Sequence, residues 1–422
     1  MAVMAIAGML FLISGLALTA CRSSLAPGRA TESPLVTPAG GPEWLPSPTT
    51  DIWSVPAARP ATPRPVEGGA LSPPRQISPP PVPTPLPDRG IRVAGILERE
   101  FEIRAESGEQ ASRRARLVSP EMEGEILVGI VERDFDVWTM VALNLFTGDE
   151  QLLFEARDPL YAPRMSGERV TWTTSRDLYV YSMLNQTTEK LPGVGVAPRR
   201  ASISGEIVVW EYLPNRLSAD WDIRGYDLSS RRSFPIVSRP GGQFGPLISD
   251  RWVLYLDSAD AQAADWDDGL YAVNLETGET IRLGQVNGRW PYEALRFYAI
   301  DAPWAVWSTG HWSDQPELYL YNLETRQAVT VTVTPCEVPN AQPRQVGNLA
   351  ISGHIVIFTC GQPMGYDFER KAFFSIPVYA LRPTDGEWWG LEGWDIAGDR
   401  IVWVLSSEQE SRIYVAQIEH RP

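Results

Sequence analysis

Residues 203–210 read Ile203-Ser204-Gly205-Glu206-Ile207-Val208-Val209-Trp210. The pattern, a turn residue followed five positions later by a large aromatic residue, recurs at Gly167/Trp172, Gly205/Trp210, Asp250/Tyr255, Ala302/Trp307, Gly353/Phe358 and Gly398/Trp403. A seventh copy, from Gly124 to Gly129, keeps the spacing and lacks the aromatic residue. The seven copies begin 38 to 52 residues apart. A period in this range is typical of propellers, solenoids and other arrays of one repeated unit.

Each repeat contains four short β-type runs. In the second copy these are residues 163–166, 169–173, 178–182 and 188–191, separated by turn residues. The third run of later copies leads into Asn-Leu-x-Thr-Gly, as at residues 274–278, which is typical of a tight turn. Four antiparallel strands repeated seven times predict an all-β, seven-bladed β-propeller. Because six of the seven copies carry the fifth-position aromatic residue, we expect it to pack in the core between blades.

These repeats resemble the blades of the TolB C-terminal domain and related PD40 or WD40-like periplasmic propellers. The resemblance lies in the succession of a turn, a Val-Val-Trp-like strand, a variable loop and a Leu-Tyr-x-x-Asn-Leu-x-Thr-Gly-like strand. It covers about residues 110–420. The resemblance implies the propeller architecture and says little about activity, since function depends on sites built onto a fold.

The two ends of the repeat region are expected to join. The last repeat supplies strands near residues 391–397, 400–405 and 413–418, with no fourth strand before Pro422. A β-like segment, residues 91–97 with a continuation to Ile103, precedes the first repeat. Proteins avoid unpaired strand edges, so we predict that this N-terminal strand pairs with residues 413–418 and completes blade seven.

The N-terminus resembles a bacterial lipoprotein signal. Residues 1–20 are apolar apart from Ser14 and Thr19, and the run ends in Leu18-Thr19-Ala20-Cys21. The resemblance implies cleavage before Cys21, acylation of its sulfur and stable anchoring through several acyl chains. The absence of Lys and Arg before the apolar run departs from the pattern and leaves an uncleaved membrane anchor as the alternative. Both interpretations place the rest of the chain outside the cytoplasm.

A proline-rich segment follows the signal. Eighteen of the 37 prolines lie between Pro27 and Pro87. Proline has no N–H to donate to a strand ladder, so this segment is expected to be a disordered linker. The predicted division is a signal peptide at 1–20, a linker at 21–90 and the propeller at 91–422.

Composition excludes some functions and leaves others open. A net charge of −15 argues against binding nucleic acid, whose phosphates require Lys and Arg. The three histidines, His311, His354 and His420, are scattered, which argues against a catalytic zinc centre. Cys336 and Cys360 are expected near one face of blade six, where they form either a disulfide or two unpaired thiols.

The candidate binding residues lie in loops between the second and third strands. These loops are expected to be long at residues 213–222, 257–269, 308–317 and 360–372 and to share one face of the propeller. They are acidic and aromatic, and the candidates are Asp220, Trp221, Asp222, Asp265, Trp266, Asp267, Asp268, His311, Trp312, Asp314, Tyr366 and Asp367. Their alternate carboxylates resemble part of a calcium loop, so calcium, ordinary turn carboxylates and a cationic or peptide ligand all remain open.

The sequence therefore favours a monomeric, lipid-anchored binding or scaffolding protein without catalytic residues. Its expected partner is an envelope protein, a peptide or a glycan. The alternative is a carbohydrate-active enzyme, a glycoside hydrolase or lyase, that uses the loop carboxylates with calcium as a candidate ion.

Overall fold

The computed structural model describes residues 75–76, 91–101, 115–133, 137–215, 220–258, 267–287, 295–310, 313, 315–334, 336, 345–378, 381, 390–407 and 410–420. In these ranges the regular structure is β-strand with short 3-10 turns, and no helix is long and apolar enough to span a membrane. The predicted signal, Cys21 and most of the predicted linker lie outside the described residues.

The strands form seven antiparallel sheets, which confirms the seven-bladed propeller. Blades one to three comprise β3 Ala115–Glu123, β4 Ile126–Arg133, β5 Val137–Asn144, β6 Glu150–Ala156, β7 Tyr161–Ser166, β8 Arg169–Thr173, β9 Leu178–Ser182, β10 Thr187–Lys190, β11 Arg199–Ser204, β12 Ile207–Tyr212, β13 Asp222–Asp227 and β14 Arg232–Val237. Blades four to six comprise β15 Gln243–Ser249, β16 Trp252–Asp257, β17 Asp267–Asn274, β18 Thr280–Asn287, β19 Tyr298–Asp301, β20 Trp304–Trp307, β21 Glu317–Asn322, β22 Ala328–Thr332, β23 Gly347–Ser352, β24 Ile355–Cys360, β25 Gln362–Asp367 and β26 Ala372–Ser375. Blade seven comprises β1 Arg75–Gln76, β2 Ile91–Phe101, β27 Gly390–Ala397, β28 Arg400–Ser406 and β29 Ser411–His420.

The predicted closure is confirmed. Strand β2 pairs antiparallel with β29, from Ile91 opposite His420 to Phe101 opposite Ser411, and Ile96 is fully buried. The short strand β1 was not predicted, because it lies in the proline-rich segment; it pairs with β2 at Leu97 and Glu98. Residues 75–78 contain no proline, so their amides can join a ladder.

The fifth-position aromatic residues lie in the core, as predicted. Trp172, Trp210 and Trp403 are fully buried, and Trp307 is nearly so. Several stack on the tyrosine directly opposite in the third strand; the Trp403 and Tyr414 ring centroids, for example, are 5.4 Å apart. Blade one has Gly129 at this position, and the Leu117 side chain packs against it, since a Cβ there would lie 2.6 Å from Leu117 Cδ1.

The first strand of each blade lines the axis of the propeller. The first strands of successive blades contact one another in a circuit, β3 to β7, β11, β15, β19, β23, β27 and back to β3. The connections between second and third strands lie at the end of the axis where these inner strands begin, because the sheets are antiparallel. The turns between first and second strands lie at the opposite end.

The expected long loop of blade six is wrong. Strand β24 ends at Cys360 and β25 begins at Gln362, so Gly361 alone, with a φ of 73°, makes the reversal. Tyr366 and Asp367 are therefore buried residues at the end of β25, on the turn side of the propeller. Gly361, Pro363 and Gly365 gave this strand the composition of a loop.

Candidate functional site

A cavity of about 700 Å³ lies at the end of the axis where the inner strands begin. Residues of β3, β7, β11, β23 and β27 line it, together with Arg296 before β19. Thr174 and Ser175, between β8 and β9, also line it, so the cavity opens toward the face on which the sequence predicts a binding site. Cavities of this volume are typical of ligand sites.

The charged residues of the cavity are mixed and rich in arginine. We call them the channel-mouth site: Arg164, Arg199, Arg200, Arg296, Glu121, Glu392 and Asp395. The arginines were not among the predicted candidates, which were acidic and aromatic. The sequence does contain a feature that marks two of these arginines: Pro-Arg pairs occur at residues 163–164 and 198–199, each at the start of an inner strand.

Ion pairs hold two of these arginines. Arg164 pairs with Glu121, and Arg200 Nη1 donates to the buried Glu211 Oε1 at 2.7 Å. The carboxylate of Glu392 accepts from Arg116 Nη2 at 2.5 Å. Truncating either paired arginine would leave a carboxylate without its cation, so both contribute to structure as well as to charge.

The other two arginines are exposed. Arg199 lies with its guanidinium carbon 4.9 Å from the centroid of the Trp221 ring, a cation–π contact. Arg296 precedes β19 and is exposed at the cavity. Arginine presents a planar fork of donors that matches a carboxylate, so these two side chains suit an anionic ligand.

β-bulges shape the inner strands at this point. Ser119, Arg200 and Asn348 have left-handed φ values of 52°, 48° and 52°, and the strand register shifts at each of them. All three line the cavity. Non-glycine residues in this region carry strain, and bulges commonly redirect side chains beside functional sites.

A buried network fixes the bulge at Arg200. Glu211 Oε1 also accepts from the amide of Gly245 at 2.7 Å, and the Tyr298 hydroxyl donates to the Gly245 carbonyl at 2.5 Å. Burial raises the pKa of Tyr298 far above its ordinary value, so the hydroxyl remains a donor. The network joins blades three, four and five and holds Arg200 in place.

Asp395 is the most strongly perturbed carboxyl group of the site. Its two oxygens accept from the amides of Met122 at 2.7 Å and Ile396 at 2.8 Å. Burial raises its pKa to about 6, while the two amides and Arg164 oppose the rise and Glu123 adds to it. Burial in turn lowers the pKa of Arg164, and Asp395 opposes that change.

The structure brings only part of the predicted set to this site. Trp221 contacts Arg199 and so lies at the edge of the channel-mouth site. Asp220, the preceding residue, is exposed. Asp222 begins β13, and Asp267 and Asp268 begin β17, so they belong to strands rather than loops; Asp268 is buried. Five predicted residues lie outside the described part of the chain: Asp265, Trp266, His311, Trp312 and Asp314. A calcium loop therefore stays a prediction.

Cys336 and Cys360 are joined by a disulfide in blade six. Their Cα atoms are 5.3 Å apart, and 24 positions separate them in sequence. Both cysteines are fully buried.

No protein-family description and no curated relative matches the sequence. Solved structures with a similar fold include the β-propeller domain of the trilobed protease from Pyrococcus furiosus, with 13% identity, a TM-score of 0.49 and coverage of 73% of this chain and 95% of that one. Oligogalacturonate lyase from Vibrio parahaemolyticus shares 11% identity, with a TM-score of 0.50 and coverage of 78% and 96%. TolB from Acinetobacter baumannii shares 13% identity, with a TM-score of 0.37 and coverage of 73% and 64%. The likeness is one of fold.

Proposed function

We propose that this chain is a lipid-anchored, extracytoplasmic binding protein whose channel-mouth site receives an acidic peptide segment of an envelope protein. The observation that carries the proposal is the set of four arginines around one cavity in a chain of net charge −15. The four arginines outnumber the three carboxylates that line the cavity, so the lining is net positive in an otherwise acidic protein, and a positive cleft steers anionic ligands toward it.

A peptide fits the site better than a free small anion. The cavity of about 700 Å³ offers room for several residues. Arg199 and Arg296 are exposed at the cavity, and their guanidinium groups can bind the carboxylates of such a peptide. Tyr161, which is 49% exposed at the cavity, adds an apolar and hydrogen-bonding surface at its edge.

Two features support a location outside the cytoplasm. The segment Leu18-Thr19-Ala20-Cys21 resembles a lipoprotein signal, and disulfides such as Cys336–Cys360 persist in oxidising compartments. Mass spectrometry of the protein from the membrane fraction of a bacterial host is expected to show a chain that begins at Cys21 and carries acyl chains. An unacylated chain that retains residues 1–20 would instead support an uncleaved apolar anchor.

The ligand class is tested by screening. The full chain, purified from membranes in detergent, is applied to arrays of acidic, basic and neutral peptides and of acidic and neutral oligosaccharides. We expect retention by acidic peptides that weakens with salt, as charge-dependent binding does. Retention by basic peptides alone, or by nothing on either array, would overturn the proposal.

A carbohydrate-active enzyme is the second candidate, and Asp395 is the observation that favours it. A carboxyl group with a pKa of about 6 can act as a general acid near neutral pH. Retention by acidic oligosaccharides with their cleavage by the wild-type chain, and no cleavage by Asp395→Asn, would select this candidate over peptide binding.

A further inference from the structure

Three polar side chains meet at the turn end of the propeller, opposite the channel-mouth site. His354 follows the turn glycine between β23 and β24, Asp367 ends β25 and His420 ends β29. The first two belong to blade six and the third to blade seven. Histidines that are 66 positions apart in sequence therefore lie close together in space.

The potential ligand atoms of the three side chains face one another. One atom from each lies within 4.8 Å of the others. His354 Nε2 is 3.6 Å from Asp367 Oδ2, and His420 Nδ1 is 3.9 Å from the same oxygen. In a tetrahedral zinc site, bonds of about 2.0–2.1 Å place neighbouring ligand atoms about 3.4 Å apart. The two distances to Asp367 Oδ2 are close to that value and too long for direct hydrogen bonds.

Two of these atoms are buried and have no hydrogen-bond partner among the described residues, namely Asp367 Oδ2 and His420 Nδ1. The side chain of Asp367 is fully buried. Its Oδ1 accepts from the amide of Arg370 at 2.8 Å, which is the usual role of this position at the end of a third strand. A buried carboxylate oxygen without a partner is costly, and an ion at that point would satisfy it.

The equivalent residue of blade three shows what is unusual about Asp367. Asp227 Oδ1 accepts from the amide of Ser229 at 2.8 Å, and its Oδ2 accepts from the Ser230 hydroxyl at 2.8 Å. Both oxygens of Asp227 thus have partners within their own turn. Among the described residues, Asp367 has a hydrogen-bond partner at Oδ1 alone, and its Oδ2 points toward the two imidazoles.

The second nitrogen of each imidazole faces an outer carboxylate. His354 Nδ1 is 4.0 Å from Glu369 Oε2, and His420 Nε2 is 3.7 Å from Asp399 Oδ1. Metal-binding histidines commonly turn their other nitrogen to a carboxylate, which fixes the tautomer and makes the ligand more basic. The cluster therefore has an inner set of ligands and an outer set of acceptors.

One cation already lies near the cluster. Arg370 Nε is 3.7 Å from Asp367 Oδ2, and its side chain is 46% exposed. This contact is longer than a hydrogen bond, so Arg370 neutralises charge without satisfying the buried oxygen. The side chain can swing into solvent when an ion binds.

We propose that His354, Asp367 and His420 bind one divalent transition-metal ion, Zn²⁺ foremost, and that the ion joins blade six to blade seven. Imidazole and carboxylate ligands suit zinc, and three protein ligands leave a fourth position for water. The site lies at the end of β29, the strand with which β2 pairs, so the bound ion strengthens the junction between blades six and seven.

The experiment uses the full chain without a histidine tag, treated with chelator and dialysed. Zn²⁺ is titrated into it by calorimetry, the bound metal is counted by mass spectrometry, and melting is followed with and without Zn²⁺. We expect one Zn²⁺ per chain and an upward shift of the melting temperature, because a ligand that binds only the folded state stabilises it. His354→Ala, His420→Ala and Asp367→Asn should each lose at least ten-fold in affinity.

Two control variants should bind Zn²⁺ as the wild type does. Asp227→Asn changes the equivalent residue of blade three, and His311→Ala removes the third histidine. Absence of stoichiometric binding by the wild type, or equal loss in the control variants, would overturn the proposal. If a variant fails to fold, X-ray absorption of the zinc-loaded wild type identifies the ligands directly. A spectrum with two imidazole ligands and no sulfur would support the proposed site, and sulfur ligation would contradict it.

Discussion

The amide of Gly205 in blade three donates a hydrogen bond of 3.0 Å to the Ser166 hydroxyl at the end of the first strand of blade two. The same contact recurs around the ring, from each turn residue to the side chain that ends the preceding inner strand: Gly167 to Glu123, Asp250 to Ser204, Ala302 to Ser249, Gly353 to Asp301 and Gly398 to Ser352. The turn residue of the repeated pattern thus has a second role, because its amide links neighbouring blades.

The junction between blades seven and one departs from this rule. The position that ends the first strand of blade seven is Ala397, which has no side-chain oxygen to accept from Gly124. Ala397→Ser is therefore expected to stabilise the protein. Ser166→Ala is expected to lower the free energy of unfolding by about 0.5–1.5 kcal/mol, the net contribution of a typical hydrogen bond. Urea unfolding measures both. Ser233→Ala, at an exposed position of strand β14 in blade three, serves as the control; an equal loss in that variant would contradict the role assigned to Ser166.

Closure of the ring depends on β2. Deleting residues 91–104 removes the strand that pairs with β29, together with the fully buried side chain of Ile96. We expect a sharp fall in the melting temperature, because blade seven then has an unpaired edge and a gap in its core. Deleting residues 30–60 from the proline-rich segment provides the control and should change melting little. An unchanged melting curve after the first deletion would show that the closing strand is dispensable.

Asp395 should make stability depend on pH in an unusual direction. Its folded-state pKa of about 6 exceeds the ordinary value of about 3.9, so the folded state holds a proton that the unfolded state releases first. Its contribution to the free energy of unfolding is present below about pH 4 and is lost as the pH rises through 6.

The Asp395→Asn variant isolates this contribution. We expect its stability, relative to the wild type, to rise between pH 4 and 6 by about 2 kcal/mol or less. Asp301→Asn is the matched control, because Asp301 also accepts a backbone amide from the next blade. Chemical unfolding at several pH values gives the comparison, and a pH-independent difference would contradict the perturbed pKa.

The architecture could be predicted because one sequence pattern recurs along the chain. The turn residue and the aromatic residue of each copy serve contacts that every blade makes, such as the burial of Trp172 and the hydrogen bond from Gly205 to Ser166. The prediction of a long loop in blade six was wrong, because it depended on local composition, which varies from blade to blade. Gly361 reverses the chain by itself, so the segment around Tyr366 and Asp367 is a strand where a loop was expected.

The candidate sites could not be predicted in the same way. Arg199 and Arg296 are 97 positions apart and come together only because the inner strands begin around one axis. His354 and His420 meet because blade seven closes beside blade six. Sequence spacing carries no information about such distances until the order of blades around the ring is known.

The most direct test of the proposed function is the affinity of the channel-mouth site for a carboxylate-rich peptide. Fluorescence anisotropy measures the binding of labelled hexaglutamate to the wild-type chain, to Arg199→Ala/Arg296→Ala and to Arg231→Ala. Arg231 is 71% exposed on the outer part of blade three, so it controls for loss of charge away from the cavity. We predict at least a ten-fold rise in Kd for the double variant and little change for the control. Equal affinity of all three proteins for hexaglutamate would contradict the account.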